Sequence, residues 1–428
     1  MALAIKQPDE DGTNKLLKLL VRTRPSGYGK NMKTVYCVTK DEEGNLRIPL
    51  ALSMILWGIK IPDYIQLPRY KIDNKIVLGE GGRDYQITTY NRLVDVILKD
   101  RCTFLSLYCG GGKTVMACKL FCDLGLVTAV VTDSTVIYPQ WISYLQKNTS
   151  AVVVGIDSPV SVLPQANIYV MMITAVYKMH PKTLENIKLL IVDEATYFMT
   201  PKRIPGLLNF TPCYTLGLCA EVRRSDGMEI FLPYLFGSTV IRKISENPFT
   251  VYRVDTKFKP VVQNMRWTGR MDWNVLLKSL ADNEERNKLF IELCLKLKEN
   301  KIIIGTKRKK QAQYLHDKLK ELGESVAILM ENMKTFPPCR ILIGIYQKMG
   351  KGVDVKNLCE AWEGDVFDVA ILALDIVNPE QFVGRVFRHN NPVVYDFVDD
   401  NSTLKKHFSE SREPWYRQRN GQIIKTIM

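Results

Sequence analysis

The stretch 107-LYCGGGKTV-115 decides the fold of the first half of the chain. It follows 103-TFLSL-107, a continuously apolar run typical of a strand buried on both faces, and precedes 114-TVMACKLFCDLG-125, an amphipathic helix pattern that ends at a glycine. Strand, glycine-rich turn and helix in this order predict a phosphate-binding loop. The alternative is a glycine turn with an exposed lysine, which the strand–loop–helix context disfavours, although Leu107 stands where the strict loop pattern has its first glycine.

The residue types in this loop predict ATP and Mg²⁺ as ligands. Gly110, Gly111 and Gly112 let the backbone N–H groups wrap around phosphate oxygens, and the start of the helix adds a favourable dipole. We expect Lys113 to reach the β- and γ-phosphates and Thr114 to ligate Mg²⁺.

An acidic pair ends a second buried run, 189-LLIVDEAT-196. A nucleoside triphosphatase needs such a pair near its phosphate-binding loop. Asp193 is predicted to hold Mg²⁺, and Glu194 to orient and deprotonate the attacking water. A strand that happens to end in two acids is the alternative, and the loop 80 residues earlier makes it the weaker one.

Ten short apolar runs alternate with helical patterns, which predicts an α/β fold. They form two clusters, so we expect two doubly wound parallel sheets in tandem, joined near residues 240–280, where the strand pattern lapses. The predicted domains are an N-terminal accessory module at 1–80, an ATP-binding domain at 81–245, a second domain at 246–400 and a basic tail at 401–428.

The third chemical element is 381-QFVGRVFR-388, after the last cluster's run 369-VAILALD-375. On a helix, Arg385 and Arg388 lie three apart and face the same way. They are predicted to stabilise charge on the γ-phosphate as arginine fingers, with Gln381 positioning them or the water. Taken alone, a solvated basic face would be the better interpretation; beside the loop and the acidic pair it is not.

In this order, the three elements resemble the superfamily 2 helicases, whose QxxGRxxR motif is matched in full. The resemblance covers about residues 83 to 400 and implies that the two predicted sheets are RecA-like domains. It implies that Gln86 contacts adenine, that Gly352 and Asp354 bridge nucleotide and strand, that 139-PQW-141 ends a motif contacting the nucleic acid and that 302-IIIGTK-307 opens the second domain.

A narrower resemblance joins 216-LGLCAEVRRSDGM-228 to the branch that includes XPB, UvsW and the poxvirus transcript-release helicase, with a loop form like that of large-DNA-virus members. The family's Thr-Ala-Thr, which couples nucleotide state to movement, is here Cys219, Ala220 and Glu221. This departure puts coupling in doubt but leaves nucleotide binding intact.

Composition agrees with an intracellular nucleic-acid partner. The 428 residues carry a net charge of +14, which suits a polyanion binder. No apolar run approaches the ~20 residues of a membrane span, so no membrane is expected. The ten cysteines are scattered and predict buried free thiols. We expect a protein of a cell, or of the virion or host cytoplasm of a large DNA virus.

The resulting hypothesis is an ATP-dependent helicase or translocase, with DNA favoured over RNA. It implies RNA polymerase or replication proteins as partners, and a role in viral transcription, replication or recombination. Two other classes stay open: a polymerase-associated nucleic-acid-binding factor with weak or uncoupled ATPase, and a simple P-loop kinase or small-molecule ATPase, which would need no second domain with QxxGRxxR. For the tryptophans Trp267, Trp273 and Trp415, core or interface packing is favoured over stacking on bases.

Overall fold

The computed structural model falls into two compact units, one made of Met1–Leu107 with Gly111–Lys243 and the other containing Ile244–Met428. The residues it describes are 2–6, 8–25, 32–59, 67–80, 83–108, 110–222, 224, 226–244, 247–267, 269–330, 333, 335–349, 358–362, 364 and 366–427.

The first 57 residues build two small antiparallel sheets and two helices. Their elements are β1 Ala2–Ile5, α1 Glu10–Leu20, β2 Val21–Pro25, β3 Met32–Tyr36, β4 Thr39–Lys40, β5 Leu46–Pro49 and α2 Leu50–Trp57. Strands β1, β5 and β4 form one sheet, and β2 pairs with β3. The N–H of Ala2 donates to the carbonyl of Phe210 at 2.9 Å, and Arg47 Nη2 donates to that of Leu208 at 2.8 Å. The N-terminal elements are therefore bonded directly to the rest of the first unit.

A seven-stranded, wholly parallel sheet forms the centre of this unit, in the order β12-β6-β11-β10-β7-β9-β8. Its strands are β6 Cys102–Leu107, β7 Thr128–Thr132, β8 Val153–Ile156, β9 Ile168–Met172, β10 Leu189–Val192, β11 Tyr214–Cys219 and β12 Val240–Lys243. Successive residues alternate between two apolar cores, Leu190 packing in one and Ile191 in the other. The sheet is therefore covered on both faces, as the continuous apolar runs predicted.

Helices supply these covers. They are α3 Tyr85–Asp100, α4 Lys113–Leu124, α5 Ile137–Asn148, α6 Ile173–Val176, α7 Ile204–Leu207 and α8 Leu232–Phe236, with 3₁₀ turns at Pro181–Leu184, Ala195–Phe198 and Met228–Phe231. Helix α4 ends as its sequence predicted: Gly125 takes the left-handed conformation at φ 60° and donates its N–H to the carbonyl of Phe121.

The second unit has its own seven-stranded parallel sheet, in the order β15-β16-β14-β17-β18-β13-β19. Its strands are β13 Phe249–Asp255, β14 Ile302–Thr306, β15 Val326–Leu329, β16 Ile341–Ile345, β17 Val369–Leu372, β18 Val393–Val398 and β19 Gly421–Ile427. Two parallel α/β sheets in tandem confirm the predicted fold class.

Four strands of the two sheets were not among the predicted runs: β8, β12, β13 and β19. Of these, β12, β13 and β19 mix polar with apolar residues. The expected lapse of strands over 240–280 is wrong for 240–243 and 249–255, and the supposed basic tail contributes β19, which pairs with β13 along its whole length. Strands β12 and β19 lie at sheet edges, where one side of the backbone has no partner strand and side chains meet solvent more often.

The second unit's helices flank this sheet. They are α9 Trp273–Ala281, α10 Glu284–Lys296, α11 Lys309–Glu321, α12 Tyr346–Met349, α13 Glu380–Val383, α14 Ser402–His407 and α15 Glu413–Arg417, with a π-helical turn at Phe408–Arg412 between the last two. None of the helices in the described residues is long and apolar enough to cross a membrane.

Candidate active site

Three neighbouring strands at the centre of the first sheet, β6, β11 and β10, end at one edge. In the parallel register Ser106 lies opposite Cys219, and Val192 lies opposite Gly217. Since the carboxyl ends of parallel strands share one edge, the glycine-rich loop, the 219–221 triplet and the acidic pair are brought together there. This edge is where open α/β sheets bind ligands.

The loop that follows β6 depends on glycine backbone geometry. Gly110 and Gly112 take φ values of +82° and +92°, which residues with a side chain avoid. A Cβ on Gly112 would also lie 2.3 Å from Gln86 Nε2. Helix α4 begins at Lys113, directly after the loop, and the Lys113 Nζ donates to the carbonyl of Leu107 at 3.0 Å. The ammonium thus bends back over the loop.

Gln86 braces this loop from helix α3. Its side chain is 3% exposed; Nε2 donates to the carbonyl of Gly111 at 3.4 Å, and Oε1 accepts from the N–H of Gly79 at 3.2 Å. The Tyr85 hydroxyl donates to the same Gly111 carbonyl at 3.1 Å. The predicted contact of Gln86 with adenine stays a prediction; its bonds to the loop are an additional role that sequence did not indicate.

Asp193, directly after β10, is buried and held at both oxygens. Its Oδ2 accepts from Trp141 Nε1 at 2.7 Å, and its Oδ1 accepts from the N–H of Glu194 at 2.9 Å. Burial raises the pKa of Asp193, while the Trp141 hydrogen bond and the charge of Lys113 oppose that rise. The carboxylate of Asp193 and the hydroxyl of Thr114 are oxygen donors of the kind that Mg²⁺ prefers.

Trp141 has a role in this site that the sequence interpretation did not predict. The resemblance assigned 139-PQW-141 to a motif that contacts the nucleic acid, but the Trp141 indole is 1% exposed and is bonded to Asp193. The sequence carries no signal for this hydrogen bond, because Asp193 lies 52 residues away from Trp141 along the chain.

Glu194 holds the backbone in the left-handed region at φ 51° and ψ 46°. Apart from glycine, few residues adopt this conformation, and when they do the surrounding structure must enforce it. Here the fully buried strand β10 precedes Glu194 and a 3₁₀ turn of mostly buried residues follows it. The chain changes direction immediately after Asp193. The two carboxylates therefore lie in different environments: Asp193 is buried and Glu194 is partly exposed.

The predicted coupling triplet lies at the end of β11, between the loop and the acidic pair. Cys219 is fully buried, and burial raises its pKa well above the ordinary value, with the nearby charge of Glu194 acting in the same direction. Its thiol is therefore neutral at physiological pH. The Ser106 hydroxyl donates to the carbonyl of Ala220 at 3.4 Å, which ties the triplet to β6. Glu221 is partly exposed.

The QxxGRxxR segment differs from its predicted helix. Helix α13 ends at Val383, and residues 384–388 continue as turns, with the N–H of Arg385 bonded to the carbonyl of Phe382. The expectation that Arg385 and Arg388 share one helix is therefore wrong. Arg385 Nη2 instead donates to the carbonyl of Met349 at 2.9 Å, which fixes one arginine within the second unit.

The two remaining predicted ligands, Gly352 and Asp354, lie outside the described residues. Their roles stay predictions.

The sequence interpretation also did not predict a buried ion pair at the start of α13. Glu380, the residue before Gln381, is fully buried; its Oε2 accepts from Trp415 Nε1 at 2.9 Å and from Arg419 Nη2 at 2.5 Å. The Arg419 guanidinium stacks over the Trp415 ring at 4.3 Å. Residues of the supposed tail therefore hold the start of the arginine-bearing segment.

A second buried cluster surrounds Arg412, which is 1% exposed and pairs with Asp375 at 2.7 Å and Asp396 at 2.8 Å. Burial alone would raise the pKa of Asp375, but hydrogen bonds from His407 and Arg412 outweigh it and hold that pKa below its ordinary value. This cluster anchors Arg412, in the supposed tail, to Asp396 within strand β18 and to Asp375, which follows strand β17.

The sequence of this chain is similar to those of known proteins. The family model described as type III restriction enzyme, res subunit, matches residues 81–224. A protein of Invertebrate iridescent virus 6 that is named as a helicase, 161L, is 32% identical over 374 residues, 80% of this chain and 82% of its own. The helicase-named 055L of Frog virus 3 is 29% identical over 74% of this chain and 73% of its own.

More distant proteins extend the comparison. The DNA 3'-5' translocase XPB2 of Sulfurisphaera tokodaii is 27% identical over 50% of this chain and 47% of its own. The structure of Dbp5 from S. cerevisiae bound to RNA and ADP BeF3 covers 79% of this chain and 89% of its own, with a TM-score of 0.54 and 15% identity, which concerns the fold alone. The phosphate-binding loop and acidic pair define the class of P-loop ATP-binding proteins. This chain belongs to the superfamily 2 helicases, among which the helicase-named proteins of iridoviruses are its relatives.

Proposed function

We propose that this chain is an ATP-driven translocase or helicase whose track is DNA. The observation that carries the proposal is the shared strand edge, where Lys113, Asp193 and the Cys219 triplet lie close enough for their charges to influence one another. Nucleotide chemistry and a coupling element at one edge are what a motor requires and what a simple binding module does not.

In the proposed mechanism the loop N–H groups and Lys113 bind the phosphates, and Thr114 and Asp193 hold Mg²⁺. Bound Mg²⁺ supplies charge neutralisation at the β- and γ-phosphates. Trp141 keeps the Asp193 carboxylate oriented, because its N–H occupies one of the two oxygens. Glu194, which is partly exposed, orients the attacking water and accepts its proton.

Arg385 and Arg388 complete the mechanism as arginine fingers from the second unit, with Gln381 positioning them or the water. Nucleotide-dependent closing and opening of the two units then moves the chain along its track. The resemblance implies hydrolysis of ATP at a cleft between two RecA-like domains, the ATP-binding domain predicted at 81–245 and the second predicted at 246–400.

DNA is favoured because XPB2, to which half of this chain is similar, is named as a DNA translocase. The net charge of +14 suits a track held through its phosphates, so binding should weaken as salt rises. Since the iridovirus relatives are proteins of large DNA viruses, we place the chain in viral transcription, replication or recombination, with RNA polymerase or replication proteins as partners, in the virion or host cytoplasm.

The test is the steady-state ATPase rate without nucleic acid and with single-stranded DNA, duplex DNA and RNA. Glu194→Gln should abolish turnover while ATP binding persists, and the matched control Glu185→Gln, an exposed glutamate of the same unit, should behave as the unsubstituted chain. Stimulation by DNA above RNA supports the proposal. Equal or greater stimulation by RNA would overturn the choice of track.

A second candidate, a polymerase-associated nucleic-acid-binding factor with uncoupled ATPase, is favoured by one observation. Cys219 is a buried, neutral thiol where the family has a hydroxyl, and Glu221 replaces the other. If DNA binds but leaves turnover unchanged, this candidate replaces the motor. Restoring hydroxyls with Cys219→Thr and Glu221→Thr together should then produce stimulation.

A further inference from the structure

An exposed hairpin projects from the second unit between β13 and α9. The chain reverses between Met265 and Arg270, with the Met265 N–H donating to the Arg270 carbonyl at 2.7 Å and the Gly269 N–H donating to the Met265 carbonyl at 2.9 Å. At its base the N–H of Asp272 donates to the carbonyl of Gln263 at 2.7 Å. These bonds join the described residues on the two sides of the turn.

The hairpin is also fixed to α9, since the Val261 N–H donates to the Ser279 hydroxyl at 2.9 Å. Between 261 and 270 the described side chains are almost all exposed. The hairpin therefore has a rigid base and an open tip.

Trp267 stands at that tip with 92% of its surface exposed. Trp267 therefore does not pack in the core, while Trp415 is buried as expected; packing of Trp267 at an interface with another protein stays the alternative to base stacking. The turn itself requires a residue with positive φ, which Gly269 provides at 65°, and places no demand on position 267. Leaving a tryptophan in water loses the stabilisation that its burial would give, so the fold alone does not account for it.

The charge around the tip selects a polyanion. Residues 256–271 contain Lys257, Lys259, Arg266 and Arg270 and no acidic residue. Arg266 and Arg270 flank the tip on either side, and both are exposed. An aromatic ring between cations is the combination that binds single-stranded nucleic acid, because bases stack on the ring and phosphates pair with the cations.

We propose that Trp267, with Arg266 and Arg270, is a base-stacking site for single-stranded nucleic acid. The inference rests on the proposed function, since it adds to the track a contact made with bases rather than phosphates. It places on the second unit an element that grips an unpaired strand and that duplex, with its bases stacked inside, cannot use.

The test measures binding of fluorescein-labelled dT20, U20 and a blunt duplex to the full chain by anisotropy, without nucleotide. Trp267→Ala should weaken dT20 binding about 5- to 100-fold, the range expected for one stacked base, and leave duplex binding within twofold. Trp267→Phe should recover most of the affinity. The control Trp57→Ala removes a tryptophan that is 45% exposed in the other unit and should change neither probe.

Salt dependence separates stacking from charge. Arg266→Ala should lower the slope of log affinity against log salt by about 1, whereas Trp267→Ala should lower affinity at an unchanged slope. A dT20 affinity for Trp267→Ala within twofold of the unsubstituted chain overturns the inference. If Trp267→Ala instead alters sedimentation of the chain and not dT20 binding, the tip is a protein contact, and the inference is wrong.

ATPase measurements distinguish this failure from failure of the proposed function. Basal turnover of Trp267→Ala should equal that of the unsubstituted chain. DNA-stimulated ATPase with normal dT20 binding by Trp267→Ala would remove only the stacking site. Loss of dT20 binding in that variant, in a chain whose ATPase ignores DNA, would support the stacking site and remove only the motor.

Discussion

Replacing Arg419 by methionine tests the buried ion pair that holds the start of the arginine-bearing segment. The guanidinium is 3% exposed and the partner carboxylate of Glu380 is fully buried, so solvent cannot take the place of the lost charge. Methionine approximates the length and bulk of the aliphatic part of the side chain, so the substitution removes the charge with a small change in packing.

The structure bounds the magnitude. Leaving a buried charge without its partner costs about 3–5 kcal/mol of the free energy of unfolding. The carboxylate keeps the hydrogen bond from Trp415, which offsets part of this cost. We therefore expect Arg419→Met to destabilise the second unit by about 3 kcal/mol at pH 7.

The destabilisation should be confined to the second unit. Hydrogen–deuterium exchange of the amides in β13 and β19 measures it, with β10 and β11 of the first unit as an internal control. Because Glu380 precedes Gln381, the ATPase kcat should fall as well.

A double-mutant cycle provides the refutation. In Glu380→Gln with Arg419→Met no buried charge is left unpaired, so the double variant should be more stable than Arg419→Met alone and the two substitutions should be strongly non-additive. If Arg419→Met costs less than about 1 kcal/mol, or the two substitutions are additive, the pair does not hold this segment.

Three further predictions concern individual groups. Gly112→Ala should abolish ATP binding in equilibrium dialysis and cost about 1–2 kcal/mol in stability, because its backbone is left-handed and the new methyl group would meet Gln86; unaltered ATP affinity would contradict the loop assignment. Trp141→Phe keeps an aromatic ring but removes the N–H that donates to Asp193. Mg²⁺-dependent binding of a fluorescent ATP analogue should therefore weaken about tenfold or more while Mg²⁺-free binding is unchanged. Equal losses of affinity with and without Mg²⁺ would indicate a packing effect only. Since the pKa of Asp375 is lowered in the folded state, its contribution to stability is present above the unfolded pKa of about 3.9 and is lost as the pH falls through the folded pKa. The difference in unfolding free energy between the unsubstituted chain and Asp375→Asn, measured in urea, should therefore disappear below about pH 4. A difference that stays constant with pH would refute this.

Local sequence determined the elements whose signals lie within a few residues. Continuous apolar runs predicted the buried parallel strands, because a strand covered on both faces has no polar side to show. The glycine-rich loop and the acidic pair at 193–194 could be predicted because phosphate binding and metal binding need particular residue types at fixed spacing. These features depend on backbone conformation and on neighbours along the chain, so they can be read without the fold.

Tertiary structure alone decided what those elements touch. The bond from Trp141 to Asp193 spans 52 residues, and the pair of Arg419 with Glu380 spans 39, so neither has a local pattern. Strand β19 was predicted to be part of a basic tail because it mixes polar with apolar residues without a clear period, and only its pairing with β13 reveals it. Likewise Trp267 has the large aromatic side chain typical of a core residue, and its exposure follows from its place at the tip of the hairpin. Burial and long-range pairing are properties of the folded chain, which is why the sequence determined the chemistry of this site and the structure determined its supports.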